Sequence, residues 1–324
     1  MNPIIPLVID RAVIEINGGC NYSCQMCPQT SGRGKDWLKK MSLKEFEKVV
    51  SEAAKYGLRV VNLEGSGEPT LNKNLPRYID IVKKYNAKAY IFSNGSLMSN
   101  SLMKSSIDAG LDYFRFSVIG YDRNSYKQWM NTDNFDVILN NALNMKEYIG
   151  KTKADTILAS YHLILNDKNK EIEVEQYRTN FIEVVNSQAE IWQMHNWSGV
   201  YNNIQYKRRG VKRTCGRPFS PDLVVRAGGN NGHRLSVAPC CQTLGRDSEA
   251  SLGDLDSHSL EEVWNGEHYR WLRQMHHEQR FDEVSFCKNC DFLYEDNSVL
   301  IWTNAKRSID KMVGTNFSLS QYKT

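Results

Sequence analysis

Apolar and polar positions along the first two thirds of the chain alternate in two different periods. Short β-branched runs of strand character fall at Ala12–Ile16, Val60–Glu64, Ala89–Ser93, Tyr113–Val118, Ile157–Leu165 and Glu190–His195. Between them the spacing predicts helices over Leu43–Tyr56, Leu75–Tyr85, Ser101–Ala109, Phe135–Tyr148 and Glu173–Val185. Ser42 followed by Glu45 is a capping-box signature for the first of these. Six strands separated by helices predict right-handed βα units on a parallel sheet. Six units are short of the eight that close a full barrel. The expected fold is therefore α/β, a partial (β/α)6 TIM-like barrel, with its site at the C-terminal ends of the strands.

After about residue 200 the alternation stops. Lys207-Arg208-Arg209-Gly210 reads as a connecting loop, and the remainder is loop-rich, with Gly228-Gly229-Asn230-Asn231-Gly232 in it. This divides the chain into a barrel unit, 1–205, and a small unit with a C-terminal tail, 206–324. A short segment poor in regular structure needs a staple, and five of the eight cysteines lie in it.

Composition narrows the picture further. In 324 residues, 41% hydrophobic content is enough for a sizeable core and excludes a disordered chain. Lys plus Arg is 41 against 37 for Asp plus Glu, so a net charge of +4 argues for neither a nucleic-acid nor a membrane partner. The start, Met1-Asn2-Pro3-Ile4-Ile5-Pro6, lacks the features of a signal peptide. No apolar run reaches the roughly 18 residues that span a bilayer. A cytoplasmic protein is expected, and there thiols serve metal binding or catalysis rather than disulfides.

Cys20, Cys24 and Cys27 form C-x3-C-x2-C in the loop after the first expected strand. Three soft thiolates so close can wrap one metal centre, iron–sulfur or zinc. A structural zinc takes four ligands, and no fourth Cys or His is near, so one position is left open. On this six-unit pattern the motif resembles that of the radical S-adenosylmethionine (SAM) superfamily.

Further motifs follow in the superfamily's order. Gly65-Ser66-Gly67-Glu68-Pro69 resembles its GGEP element, which holds the SAM amino group; Gly65 and Gly67 let the backbone approach, and Glu68 can accept from an ammonium. Ser93-Asn94-Gly95 is similar to its T-N-G, which points to Asn94. Phe116-Ser117-Val118-Ile119-Gly120 is similar to its S-x-D-G, and Ser117 is the position carried over to the SAM carboxylate. Ile119 replaces the usual Asp. With no Arg in Tyr126–Asp133, Lys127 stands as the substitute carboxylate partner. Met26 occupies the place where an aromatic residue commonly packs near adenine.

The second cysteine set is Cys215, Cys240, Cys241, Cys287 and Cys290. Cys287-x2-Cys290 has metal-knuckle spacing, and Cys215 and Cys240 complete an all-thiolate site. On spacing alone, zinc and a cubane cluster are both open. Cys215-Gly216-Arg217-Pro218-Phe219, Pro239-Cys240-Cys241, Leu252-Gly253-Asp254 and Ser259-Leu260-Glu261-Glu262-Val263-Trp264 resemble the SPASM group of radical SAM enzymes. With no cysteine after Cys290, the chain looks like the shortened twitch form with one auxiliary [4Fe–4S] cluster. Cys241 is the remainder: a small buried residue, a hydrogen-atom donor, or a ligand interchangeable with Cys240.

His195, after the sixth strand, is a candidate substrate base. His162 and Asn166 are candidates to point into the barrel. Tyr90, Trp129 and Trp192 read as core, and His276-His277 as a solvated face. The resemblance implies cleavage of SAM on the Cys20/Cys24/Cys27 [4Fe–4S] cluster to a 5′-deoxyadenosyl radical, with a flavodoxin- or ferredoxin-type reductant. The first strand begins within a dozen residues of the start, which leaves no room there for a peptide-leader domain and favours a small-molecule substrate. The single auxiliary cluster resembles that of the aminocyclitol dehydrogenase of butirosin biosynthesis. Oxidation of a secondary alcohol on a small carbohydrate or cyclitol-like substrate is therefore the expected reaction. An epimerase with Cys241 as donor, a peptide-modifying enzyme, and a zinc-stapled binding module outside the class are the alternatives.

Overall fold

The computed structural model describes residues 5–31, 34–201, 210–243, 245–294 and 300–305. Its strands are β1 Arg11–Ile14, β2 Val60–Leu63, β3 Lys88–Ser93, β4 Tyr113–Ser117, β5 Ile157–Ile164, β6 Gln188–Gln193, β7 Asp222–Val225, β8 Val237–Ala238 and β9 Leu300–Thr303. Its helices are α1 Leu43–Ala54, α2 Leu75–Lys84, α3 Asn100–Asp108, α4 Arg123–Met130, α5 Phe135–Thr152, α6 Lys170–Tyr177, α7 Glu183–Val185, α8 Leu260–Trp264 and α9 Glu267–His277.

The six expected strands are present and parallel, in sequence order β1 to β6. The curved sheet stays open, because β6 pairs with β9 rather than β1. The other edge was not foreseen. β7, from the loop-rich segment, adds in parallel beside β1, and β8 follows it antiparallel. The second segment thus extends the barrel sheet. The expected junction at 205/206, and Lys207-Arg208-Arg209 with it, lies outside the described residues.

Helix periodicity does what it predicts. In α1, Phe46, Val49, Val50 and Ala53 share the buried face, and each of the larger three contributes about 1.5–3 kcal/mol by leaving water. The capping box forms: Ser42 Oγ accepts from Glu45 N while Glu45 accepts from Ser42 N. The single helix expected over Glu173–Val185 is instead α6, a π-helical turn at Arg178–Ile182, and α7. The additional α4 carries few apolar residues; its start is set by Asp122, whose side chain accepts from Ser125 N. No helix among the described residues is long and apolar enough to cross a membrane.

Candidate active site between two thiol clusters

The loop after β1 carries Cys20, Cys24 and Cys27. It is held by backbone bonds from Cys27 N to the Cys24 carbonyl (3.1 Å) and from Gln25 N to the Trp129 carbonyl (2.9 Å). Burial pushes the Cys20 thiol up to about 11, with Glu68 and Cys27 adding to the rise, and pushes Cys24 higher still, with Cys27 and Cys20 adding. Thiols raised in this way are inert until a metal draws off their protons.

The loop after β2 locks onto the cysteine loop. A Cβ built on Gly67 would lie 1.9 Å from the Asn17 carbonyl oxygen and 2.5 Å from that of Gly19, so only glycine fits. Glu68 N donates to the Gly19 carbonyl at 2.8 Å, and Asn17 Nδ2 donates to the Glu68 carbonyl at 3.0 Å. The Glu68 carboxylate faces the end of β3. Its Oε1 accepts from Thr70 N, Thr70 Oγ1 and Ser93 Oγ, and its Oε2 accepts from Asn94 N. Burial raises Glu68 above the usual carboxylate range, and these four donors only partly offset it. Asn94 is likewise engaged: its Nδ2 donates to Asn21 Oδ1 and its Oδ1 accepts from Ser96.

Met26, Gly65, Gly67, Glu68, Asn94 and Ser117 all line one cavity of about 290 Å³. Cys20, Cys24 and Cys27 line it as well, and so do Cys240 and Cys241 from the second set. In that set, Cys215, Cys240, Cys287 and Cys290 lie close enough to raise one another's pKa, on top of burial. Cys240 adds to the rise of Cys287 and Cys290, and Cys241 to that of Cys215 and Cys240.

Among the described residues, His233, Asp254 and Asp256 form the one group of three candidate ligands whose ligand atoms all lie within 4.8 Å of one another.

The cavity interior holds residues that motif reading passed over, because each is a single inward position on a strand. Arg11 forms a bidentate pair with Asp222 (3.0 and 2.7 Å). Arg115 pairs with Glu190 at 3.4 Å and lies between the rings of Phe92 and Tyr161, 3.7 and 4.5 Å from their centroids. Burial raises Glu64, which takes a hydrogen bond from Asn62. An unbroken run of buried strand residues disguises these positions, and the only sequence signal was a charge inside a strand.

His195 also lines the cavity, edge-on to Trp197 at 4.1 Å. Other expectations fail. Lys127 is exposed and pairs with Asp133 at 3.2 Å, away from the cavity. His162 points out of the barrel, because alternation on β5 turns Tyr161 and Leu163 inward: Gly120 N donates to its Nδ1, and its Nε2 lies 2.9 Å from Glu173 Oε1. Asn166 instead closes a turn by accepting from Lys168 N. Trp192 lines the cavity and donates to Glu190, whereas Tyr90 packs on Tyr113 as core. His276 is buried rather than solvated; burial depresses it to about 4, and its Nδ1 meets Thr214 Oγ1 beside Cys215.

A model of the Radical SAM superfamily matches residues 14–173, and one for SPASM, an iron-sulfur cluster-binding domain, matches residues 222–291. The chain is a radical SAM protein with a C-terminal SPASM domain. Proteins of this class bind SAM on a [4Fe–4S] cluster, and the SPASM domain binds auxiliary iron–sulfur clusters. Among curated proteins, the chain is 23% identical to the tungsten-containing aldehyde ferredoxin oxidoreductase cofactor-modifying protein of Pyrococcus furiosus, over 92% of this chain and 93% of that one. It is 30% identical to a probable GTP 3′,8-cyclase of Methanococcus maripaludis, over 36% and 38% of the two chains. Similar solved structures include BtrN in complex with AdoMet and 2-DOIA (TM-score 0.60, 17% identity, 89% of this chain and 94% of that one). Another is SuiB of Streptococcus suis bound to precursor peptide SuiA (TM-score 0.66, 14% identity, 89% and 71%).

Proposed function

We propose that this radical SAM enzyme oxidises a secondary alcohol of a small carbohydrate or cyclitol-like substrate and passes an electron to an auxiliary [4Fe–4S] cluster. The observation that carries this reading is one cavity lined by Cys20, Cys24 and Cys27 and also by Cys240 and Cys241 of the second set. A substrate there would have a hydrogen-abstracting centre on one side and an electron acceptor on the other. When bound, the groups on Cys20/Cys24/Cys27 and on Cys215/Cys240/Cys287/Cys290 supply, respectively, removal of a hydrogen atom from carbon and acceptance of one electron.

The chain supplies orientation. Gly65, Gly67, Glu68, Asn94, Ser117 and Met26 line this cavity; the SAM amino acid would lie against the first five and adenine against Met26. The Glu68 carboxylate braces the loop through its four donors, and its Oε2, which takes only one of them, keeps acceptor capacity for the SAM ammonium. Polar side chains and aromatic faces (Arg115, Asn62, Gln193, Tyr161) suit a hydroxylated ring. His195 sits where it can take the hydroxyl proton.

The test is product mass with the reconstituted enzyme, SAM, a low-potential reductant and a panel of cyclitols and sugars. Loss of two hydrogens with one 5′-deoxyadenosine per product supports the reading. Unchanged mass with an inverted centre replaces it with an epimerase using Cys241, and turnover of peptides alone replaces it with a peptide-modifying enzyme. The alignment over 93% of the Pyrococcus protein favours a second reading, modification of a cofactor in the same cavity.

A further inference from the structure

Three buried arginines of the cavity each face a carboxylate: Arg11 faces Asp222, Arg115 faces Glu190, and Arg226 faces Asp247 at 2.6 Å. Arg217 differs. It begins the short turn Arg217–Phe219, entered through Gly216 in a left-handed conformation (φ 76°). That turn is pinned by Ser220 Oγ donating to the Arg217 carbonyl at 2.9 Å and by Arg273 Nε donating to the Pro218 carbonyl at 3.0 Å. Arg217 is only 8% exposed, and its guanidinium lies 4.9 Å from the Phe292 ring centroid. Among the described residues it forms no ion pair with a carboxylate. Its Nη1 donates to Cys241 Sγ at 3.2 Å. Its Nη2 is buried without a partner in a residue that lines the cavity.

A buried guanidinium without a counter-charge is strongly destabilising. The groups that would carry a charge opposite to Arg217 once deprotonated are Cys241, Cys240 and Cys215, and two of these belong to the auxiliary ligand set. We propose that Arg217 is the resident counter-charge of the auxiliary cluster and that it raises the site's affinity for an electron. The redox part rests on the reading above that this site accepts the electron. Positive charge and N–H···S hydrogen bonds both favour the reduced state of an iron–sulfur centre. The Nη1 bond goes to Cys241, the neighbour of the ligand Cys240, so Arg217 acts through its charge, as a positioning residue rather than a proton carrier.

The experiment isolates the auxiliary site in a Cys20/Cys24/Cys27→Ala background and measures iron, sulfide and midpoint potential for Arg217, R217K and R217Q. The expected result is unchanged iron with a shift to lower potential in R217Q and a smaller shift in R217K, since lysine keeps the charge but loses the planar stack and the fork. An unchanged midpoint in R217Q with full iron overturns the proposal. If R217Q loses its iron, R217K decides: a lowered midpoint supports the proposal and an unchanged one overturns it. Loss of iron from both, with the fold intact by circular dichroism, makes Arg217 a structural prop and also overturns it. No substrate enters the measurement, so a failure to oxidise any alcohol would be separately visible.

Discussion

Arg11 on β1 and Asp222 on β7 are register partners, and their side chains form a two-point ion pair across the seam where the SPASM segment joins the barrel sheet. Ser220 Oγ donates to the same carboxylate at 3.2 Å. The pair fixes how the floor of the cavity meets the wall that carries the second thiol set.

Removing one partner is expected to cost more than removing both. D222A leaves Arg11 buried without its charge and should lower stability by about 3–5 kcal/mol. R11M/D222L should recover much of that loss. Urea unfolding of the single and double variants checks the difference, and equal losses would show that the pair is not coupled.

The cysteine sets should separate cleanly. Replacing Cys20, Cys24 and Cys27 by Ala should leave about half the iron and abolish 5′-deoxyadenosine formation. Cys241→Ala should keep the auxiliary cluster, whereas Cys240→Ala should lose it, because Cys240 adds to the rise of Cys287 and Cys290. Iron and sulfide analysis with electron paramagnetic resonance reads both outcomes.

Two glycines predict opposite effects. Gly67→Ala drives a methyl group into the backbone of the cysteine loop and should abolish SAM binding in equilibrium dialysis. Gly150 sits exposed in α5, where an added Cβ would meet nothing within 4 Å. Gly150→Ala should therefore stabilise the chain by about 0.5–1 kcal/mol, measured as a higher urea midpoint.

Glu68→Gln should weaken SAM binding although it keeps size and shape. All four of its contacts are donors to the carboxylate, so the amide must turn an N–H toward one of them. The loss of a satisfied buried acceptor costs about 1–3 kcal/mol. SAM affinity equal to wild type would remove Glu68 from the bracing of this loop.

The Glu45–Arg234 contact makes a pH prediction. Burial alone would raise Glu45, but hydrogen bonds from Arg234 and Ser42 win and lower it to about 2 from an ordinary 4.5. A carboxylate depressed on folding gives stability that is complete above its unfolded value and lost as pH falls through the folded one. With both side chains about a quarter exposed, solvent screening trims the contribution to about 1–2 kcal/mol. Wild type and E45Q should therefore differ in stability at pH 7 and converge between about pH 4.5 and 2.

The sequence determined the six parallel strands and the helices between them, the Ser42 cap, both cysteine sets and the glycines and Glu68 behind the first set. These depend on period, on local capping and on ligand spacing, all of which are written in neighbouring residues. Tertiary structure alone decided the rest. β7 shows no period that names β1 as its partner, and only the closure of the sheet edge brings Asp222 to Arg11. Arg115, Glu190 and Arg217 look like stray charges until strand alternation and the Gly216 turn bury them around one cavity. His162 and His276 went the opposite way from expectation, because the facing of one side chain on a strand or helix is set by the elements packed against it. Whether a charge is solvated, paired or aimed at a ligand is a property of distance between residues far apart in sequence, and no local pattern records it.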